Sequence, residues 1–130
     1  MKTQTPPTVL IVEDEEIVRM IGSDILEQGG YHVLEAANAP EALRRLEGGA
    51  EVMVLFTDVN MPGTPDGFGL ARLVNDRWPK VKILVASGAV APRPGDLPDT
   101  GLFLSKPYCA EELLTMVRGL AEDGLRPGRA

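Results

Sequence analysis

An α/β fold, a doubly wound sheet of five parallel strands with helices on both faces, is predicted by three observations on this chain of 130 residues. Short runs of Val, Ile and Leu alternate with segments of helical spacing, as expected for parallel strands buried on both faces. The order reads β-α-β-α-β-α-β-loop-β-α, which right-handed crossovers wind into one sheet. Four of the apolar runs also end on polar residues. Val9-Leu10-Ile11-Val12 ends on Glu13-Asp14, and Val52 to Phe56 ends on Thr57-Asp58. Ile83 to Ala86 ends on Ser87, and Leu102 to Leu104 ends on Ser105-Lys106-Pro107. Ligands of such sheets bind outside the carboxyl ends of the strands, at the point where the winding reverses. The endings are therefore expected to converge on one site, with the reversal between the first and third strands.

The elements follow in order. Residues 1–7, broken by Pro6 and Pro7, are expected to form a flexible leader and lack the apolar core of a signal peptide. The first strand, 8–13, leads into a helix over 15–28 in which Ile17, Val18, Ile21 and Ile25 recur at helical spacing. Gly29-Gly30 stops it. Tyr31 to Ala36 alternates as a second strand. Asn38 then caps a helix with Pro40 in its first turn and Ala42, Leu43 and Leu46 on its apolar face. The third strand runs from Val52 to Asp58, and the loop from Val59 to Gly67 follows. Asp66 is the expected cap of a helix from Gly67 to Trp78 that buries Leu70, Ala71 and Val74 and is stopped by Pro79. Val81 to Ala86 is the fourth strand and Leu102 to Ser105 the fifth. A last helix runs from Ala110 to about Leu120, with Leu113, Leu114, Val117 and Leu120 inward and Cys109 at its N-cap position. Residues 8–122 thus read as one domain, and 123–130, with Gly124, Pro127 and Gly128, as a flexible tail.

The stretch from Gly88 to Gly101 breaks the alternation. It carries Pro92, Pro94 and Pro98 together with Gly95, and each internal proline would cost a helix about 3 kcal/mol. A loop with at most one turn is expected where the fourth helix of the series would stand.

Composition narrows the class. With 44% hydrophobic and 25% charged residues the chain has the make-up of a globular domain. A net charge of −6 and a pI near 4.8 argue against nucleic acid as a partner, because a phosphate backbone demands a basic footprint. No apolar run reaches membrane-spanning length. The single cysteine, Cys109, allows no internal disulfide and fits a reducing cytoplasm.

The converging residue types suit one chemistry. Carboxylates in one crevice repel, and a hard dication such as Mg²⁺ (or Mn²⁺), bound through carboxylates and water, would hold them ionised. His32 stands alone and Cys109 sits elsewhere, so no softer metal is indicated. Lys106 adds a point charge suited to a phosphoryl oxygen, and Ser87 a hydroxyl donor. An aspartate carboxylate can attack phosphorus, and a phosphoryl group on Asp58 would give each of these residues a partner. Each also has an ordinary role open to it: acids at a helix start favour the dipole, Asp58 and Ser87 could begin turns, Phe103 could be core, and Lys106 could be a surface lysine.

Over about residues 8–122 the chain resembles the receiver domain of two-component response regulators. Glu13-Asp14 looks like the family's acidic metal-binding pair. Asp58, within Thr57-Asp58-Val59-Asn60-Met61-Pro62-Gly63, looks like the phosphoacceptor, and the main-chain carbonyl of Asn60 would complete the metal site. Ser87 matches the switch hydroxyl, Lys106-Pro107 the lysine with a proline that relatives usually hold in cis, and Phe103 the aromatic switch position. The resemblance implies a flavodoxin-like sheet in the order 2-1-3-4-5 (the general α/β scheme itself cites a chemotaxis receiver). It implies phosphotransfer to Asp58 from a sensor histidine kinase or histidine phosphotransfer protein, in a stand-alone receiver acting on a downstream protein. Slow self-dephosphorylation would follow, without dedicated substrate turnover. Two departures are visible: Met61 to Gly67 is one residue longer than the common form, and the proline-rich stretch replaces the fourth helix. That replacement keeps a second reading open, an interaction module that works without phosphorylation. A phosphatase with an aspartyl-phosphate intermediate ranks last, because position 60 is Asn where a general acid would be needed.

Overall fold

The computed structural model describes residues 6–60, 66–88, 91–98 and 101–125. The leader before residue 6, the loop residues 61–65 and the tail beyond Leu125 lie outside the described residues, as do parts of the proline-rich stretch. The elements are β1 (Thr8–Val12), α1 (Glu16–Gln28), β2 (His32–Ala36), α2 (Ala39–Glu47), β3 (Val54–Asp58), α3 (Gly67–Arg77), β4 (Lys82–Ser87), β5 (Leu102–Ser105) and α4 (Ala110–Leu125). The strands form one parallel sheet in the order β2-β1-β3-β4-β5, the flavodoxin-like order. Pro7 extends the edge by one bond, its carbonyl accepting from the His32 N–H at 3.0 Å.

Side chains alternate across a strand, so the uniformly apolar runs fill two cores. Leu10, Val12, Leu55, Ile83 and Val85 pack with Ala42, Leu46, Leu70 and Val74 of α2 and α3. Val9, Ile11, Val54, Phe56 and Leu84 pack on the other face with Leu26, Leu113 and Val117 of α1 and α4. Helix ends follow the capping chemistry. Asn38 Oδ1 accepts from the Glu41 N–H at 2.9 Å while Glu41 Oε1 accepts from the Ala37 N–H at 2.8 Å, a reciprocal cap. Asp66 Oδ1 accepts from the Gly69 N–H at 2.8 Å.

Three local outcomes differ from or refine the sequence reading. Helix α1 does not bury its isoleucine stripe: Ile17 and Ile21 are exposed, and its buried residues are Gly22, Ser23 and Leu26. Close packing is the reason, because a Cβ at Gly22 would sit 2.6 Å from Ile11 Cδ1. Small residues bring the helix onto β1 and turn part of the isoleucine stripe outward. The last helix continues through Leu125, about one turn past the expected end at Leu120. In the proline-rich stretch, residues 91–98 form no helix. The Arg93 N–H donates to Asp96 Oδ2 at 2.8 Å, Arg72 of α3 donates to the Asp96 carbonyl at 3.3 Å, and Leu97 packs on the α2–α3 core.

Among the described residues, Ser23 Oγ is the buried side-chain polar atom without a hydrogen-bond partner. A buried hydroxyl left unpaired costs about 1–3 kcal/mol, whereas truncating a buried leucine costs about 2–5 kcal/mol. Urea unfolding should therefore find Ser23→Ala as stable as the parent or up to about 1 kcal/mol more so. Leu84→Ala should lose at least about 2 kcal/mol. A Ser23→Ala variant that is clearly destabilised would mean that the hydroxyl has a partner.

Candidate functional site

Strand register brings the polar endings together. Asp58 is the last residue of β3 and pairs with Ala86, whose carbonyl also accepts from the Val59 N–H at 3.0 Å. Val12 of β1 pairs with Thr57 of β3, so Glu13 comes level with Asp58, and the Glu13 N–H donates to the Ala36 carbonyl at 3.1 Å. Ser87 pairs with Ser105, and the Lys106 N–H donates to the Ser87 carbonyl at 3.0 Å. The Lys106-Pro107 peptide is cis.

Lys106 reaches back across the strand ends. Its Nζ lies 2.8 Å from Asp58 Oδ1 and 3.3 Å from Glu13 Oε1. Glu13 and Asp58 are buried and Asp14 is exposed, yet each offers a carboxylate oxygen within 4.8 Å of the others. The remaining oxygen of Glu13, Oε2, accepts from the Glu15 N–H at 3.1 Å, and its carbonyl accepts from Arg19 Nη1 at 2.8 Å. Ser87 is buried at the end of β4, with main-chain contact to Lys106. Asn60 is exposed just past β3. Phe103 pairs with Val85 and, half-buried, packs on the α2–α3 core on which Leu97 also packs.

Electrostatics set the protonation states. Burial, with the neighbouring Asp58 charge, raises the Glu13 carboxyl above its ordinary value, while the Glu15 N–H and Lys106 oppose the rise. Burial alone would lower Lys106, but its hydrogen bond to Asp58 and the two carboxylate charges outweigh that and hold it above its ordinary value. The group is an ammonium at neutral pH. Three carboxylates against this one ammonium leave two formal negative charges at the edge of the sheet. The donors are hard oxygens, the chemistry of a Mg²⁺-type site rather than a thiolate or imidazole site, so the residues present fit such an ion. A cavity of about 10 Å³ adjoins the three charged groups that pair through Lys106, walled by Ile11, Val18 and Phe56; it has about the room of one water.

Tyr108 and Gly67 also belong to the site, and the sequence reading gave neither a part there. Tyr108 lines the same cavity and meets Phe56 edge-on, with ring centroids 5.8 Å apart; burial pushes its phenol up, so the ring stays neutral. Gly67 abuts the backbone of Asp58 and Val59: its N–H donates to the Val59 carbonyl at 3.0 Å. A Cβ there would fall on the Asp58 carbonyl oxygen and within 2.6 Å of Val59 Cα. A signal was present, because glycine is a poor first helical residue after a sound Asp66 cap. Its presence marks a close backbone approach.

The family described as the response regulator receiver domain matches residues 9–118. The sensor kinase CckA of Brucella abortus is 40% identical over 119 residues, which are 88% of this chain and 12% of that protein. The response regulator protein FleR of Pseudomonas aeruginosa is 38% identical over 116 residues, 84% of this chain and 23% of that protein. The chain thus spans less than a quarter of the length of either curated relative. Among solved structures, the receiver domain of the hybrid histidine kinase CckA aligns with a TM-score of 0.74 at 30% identity, covering 88% of this chain and 98% of that one. The Vibrio cholerae chemotaxis protein CheY4 aligns with a TM-score of 0.79 at 29% identity, covering 89% and 99%. No helix among the described residues is long and apolar enough to cross a membrane. With its sheet order, its acid cluster and this match, the chain belongs to the response regulator receiver domain family of two-component signalling.

Proposed function

We propose that this receiver takes a phosphoryl group onto Asp58 from a phosphohistidine of a sensor histidine kinase or histidine phosphotransfer protein. It then signals by phosphorylation-dependent protein binding or by passing the group on. The observation that carries this reading is the Lys106 ammonium held between Asp58 and Glu13, 2.8 Å from the former and 3.3 Å from the latter, beside Asp14. An Asp58 oxygen forms the new bond to phosphorus as the P–N bond of the donor breaks, and the electron pair leaves with the imidazole, which takes up a proton. Glu13, Asp14, Asp58 and the main-chain carbonyl of Asn60 would hold Mg²⁺ (or Mn²⁺). When bound, the ion supplies positive charge for the phosphoryl oxygens. Lys106 balances the charge on the same oxygens, and the Ser87 hydroxyl donates to another of them. Phe103, on the core that Leu97 also joins, would carry the change into the β4–β5 connection. Residues 8–122 are the working unit, placed in the cytoplasm with the kinases that serve it.

With Mg²⁺ and a small-molecule phosphodonor, the intact mass of the protein should rise by one phosphoryl group and that of Asp58→Asn should not. A gain of the same group by Asp58→Asn would move the acceptor elsewhere. Lys106→Met removes a cation beside the proposed metal site, so calorimetry should show Mg²⁺ bound about tenfold more tightly. Unchanged or weaker binding would count against a metal at these carboxylates. A raised Glu13 pKa means that the folded protein holds the proton more tightly than the unfolded chain. This stabilisation is present below about pH 4.5 and is lost as pH rises through the folded-state value. Metal-free wild type should therefore lose more stability than Glu13→Gln between about pH 4 and about pH 7 in urea titrations. Parallel profiles would contradict the assignment.

A further inference from the structure

We propose that Arg19 is a positioning residue for the metal site, and that it acts by locking the peptide plane between Glu13 and Asp14. The proposal rests on the reading of Glu13 and Asp14 as metal ligands. These acids stand beyond the last β1 pair, in the turn before α1, where the sheet ladder has ended. The N-cap of α1, Glu15, makes no side-chain capping bond, so ordinary helix-end chemistry does not fix this turn. Three bonds hold Glu13 from its amide and carboxylate sides: its N–H donates to the Ala36 carbonyl at 3.1 Å, Oε2 accepts from the Glu15 N–H at 3.1 Å, and Oε1 accepts from Lys106 Nζ at 3.3 Å. Its carbonyl is held separately, by Arg19 Nη1 at 2.8 Å.

That carbonyl matters because the peptide is planar: fixing the Glu13 oxygen fixes the Asp14 nitrogen and hence the direction of the Asp14 backbone. Asp14 is the exposed member of the acid cluster, and among the described residues no side-chain hydrogen bond orients it. Arg19 is itself fixed. Its Nε bonds Glu35 Oε1 of β2 at 3.0 Å, its side chain is only 16% exposed, and Arg45 of α2 donates to the Glu35 carbonyl at 2.7 Å. A planar guanidinium can serve both partners at once, whereas an ammonium is a single point. Glu35 also neutralises the arginine, which would otherwise set an unpaired cation near a site for a dication. Removing a group that orients a metal ligand typically costs 10–100-fold in affinity.

The test is Mn²⁺ binding to the full chain by calorimetry, without phosphodonor, for wild type, Arg19→Met, Arg19→Lys and Asp14→Asn, each with its thermal unfolding curve. Arg19→Met should bind at least about tenfold more weakly at a temperature where its unfolding curve shows it folded. Arg19→Lys, which keeps one cationic donor in place of the guanidinium, should recover part of the loss, a pattern that a general loss of stability would not give. Should Arg19→Met fail to fold, the Lys variant decides, with an intermediate affinity expected. Wild-type affinity in a folded Arg19→Met (or, failing that, in Arg19→Lys) while Asp14→Asn loses binding would overturn the positioning role alone. Undiminished binding by Asp14→Asn would remove the metal site itself, and the proposal with it.

Discussion

An ammonium shared by two buried carboxylates at the edge of a parallel sheet sets the terms for everything around it. Glu13 and Asp58 sit at the ends of neighbouring strands, where burial and the Asp58 charge penalise the ionised form of Glu13. Lys106 relieves that cost and is held as a cation in return. Removing either side would strand buried charge, which costs more than the pair itself contributes. The arrangement therefore constrains the fold: β1, β3, β4 and β5 must end level, and they do so through continuous parallel register from Val12 and Thr57 to Ser87 and Ser105.

The same constraint explains where the backbone comes closest. Gly67 starts α3 directly against the Asp58 carbonyl, and Gly22 lets α1 lie on β1 beneath the acid-bearing turn. Both glycines trade helix propensity for proximity to the site. Net negative charge among the acids is left for an outside cation to cancel, and so the site is receptive to a dication without any soft ligand. Between β4 and β5, residues 91–98 form a packed loop rather than a helix, tied through Arg72, Asp96 and Leu97.

Much of this was legible in the sequence, for physical reasons. Apolar runs with polar ends give strands and a common edge, so the sheet and the convergence of Glu13, Asp58, Ser87 and Lys106 could be read directly. Asn38 and Asp66 mark their helix starts by capping chemistry that needs no tertiary context. Pro92, Pro94 and Pro98 foretold that 91–98 would form no helix. Periodicity guided only half of α1: Ile25 packs on the core and Val18 walls the cavity, but Ile17 and Ile21 are exposed while Gly22, Ser23 and Leu26 are buried. Periodicity records which residues are apolar, not how near two backbones can come. Arg19, Tyr108 and Gly67 were missed for a related reason: their parts depend on contacts across elements that no local pattern encodes.

The proposed function turns on Asp58 as the residue that forms a bond to phosphorus. The most direct measurement is borohydride trapping of the protein after exposure to Mg²⁺ and a phosphodonor, followed by peptide sequencing by mass spectrometry. Hydride reduces an acyl phosphate to the alcohol, so homoserine is expected at position 58 alone. Homoserine at another acidic position, or none while phosphate is demonstrably incorporated, would contradict it.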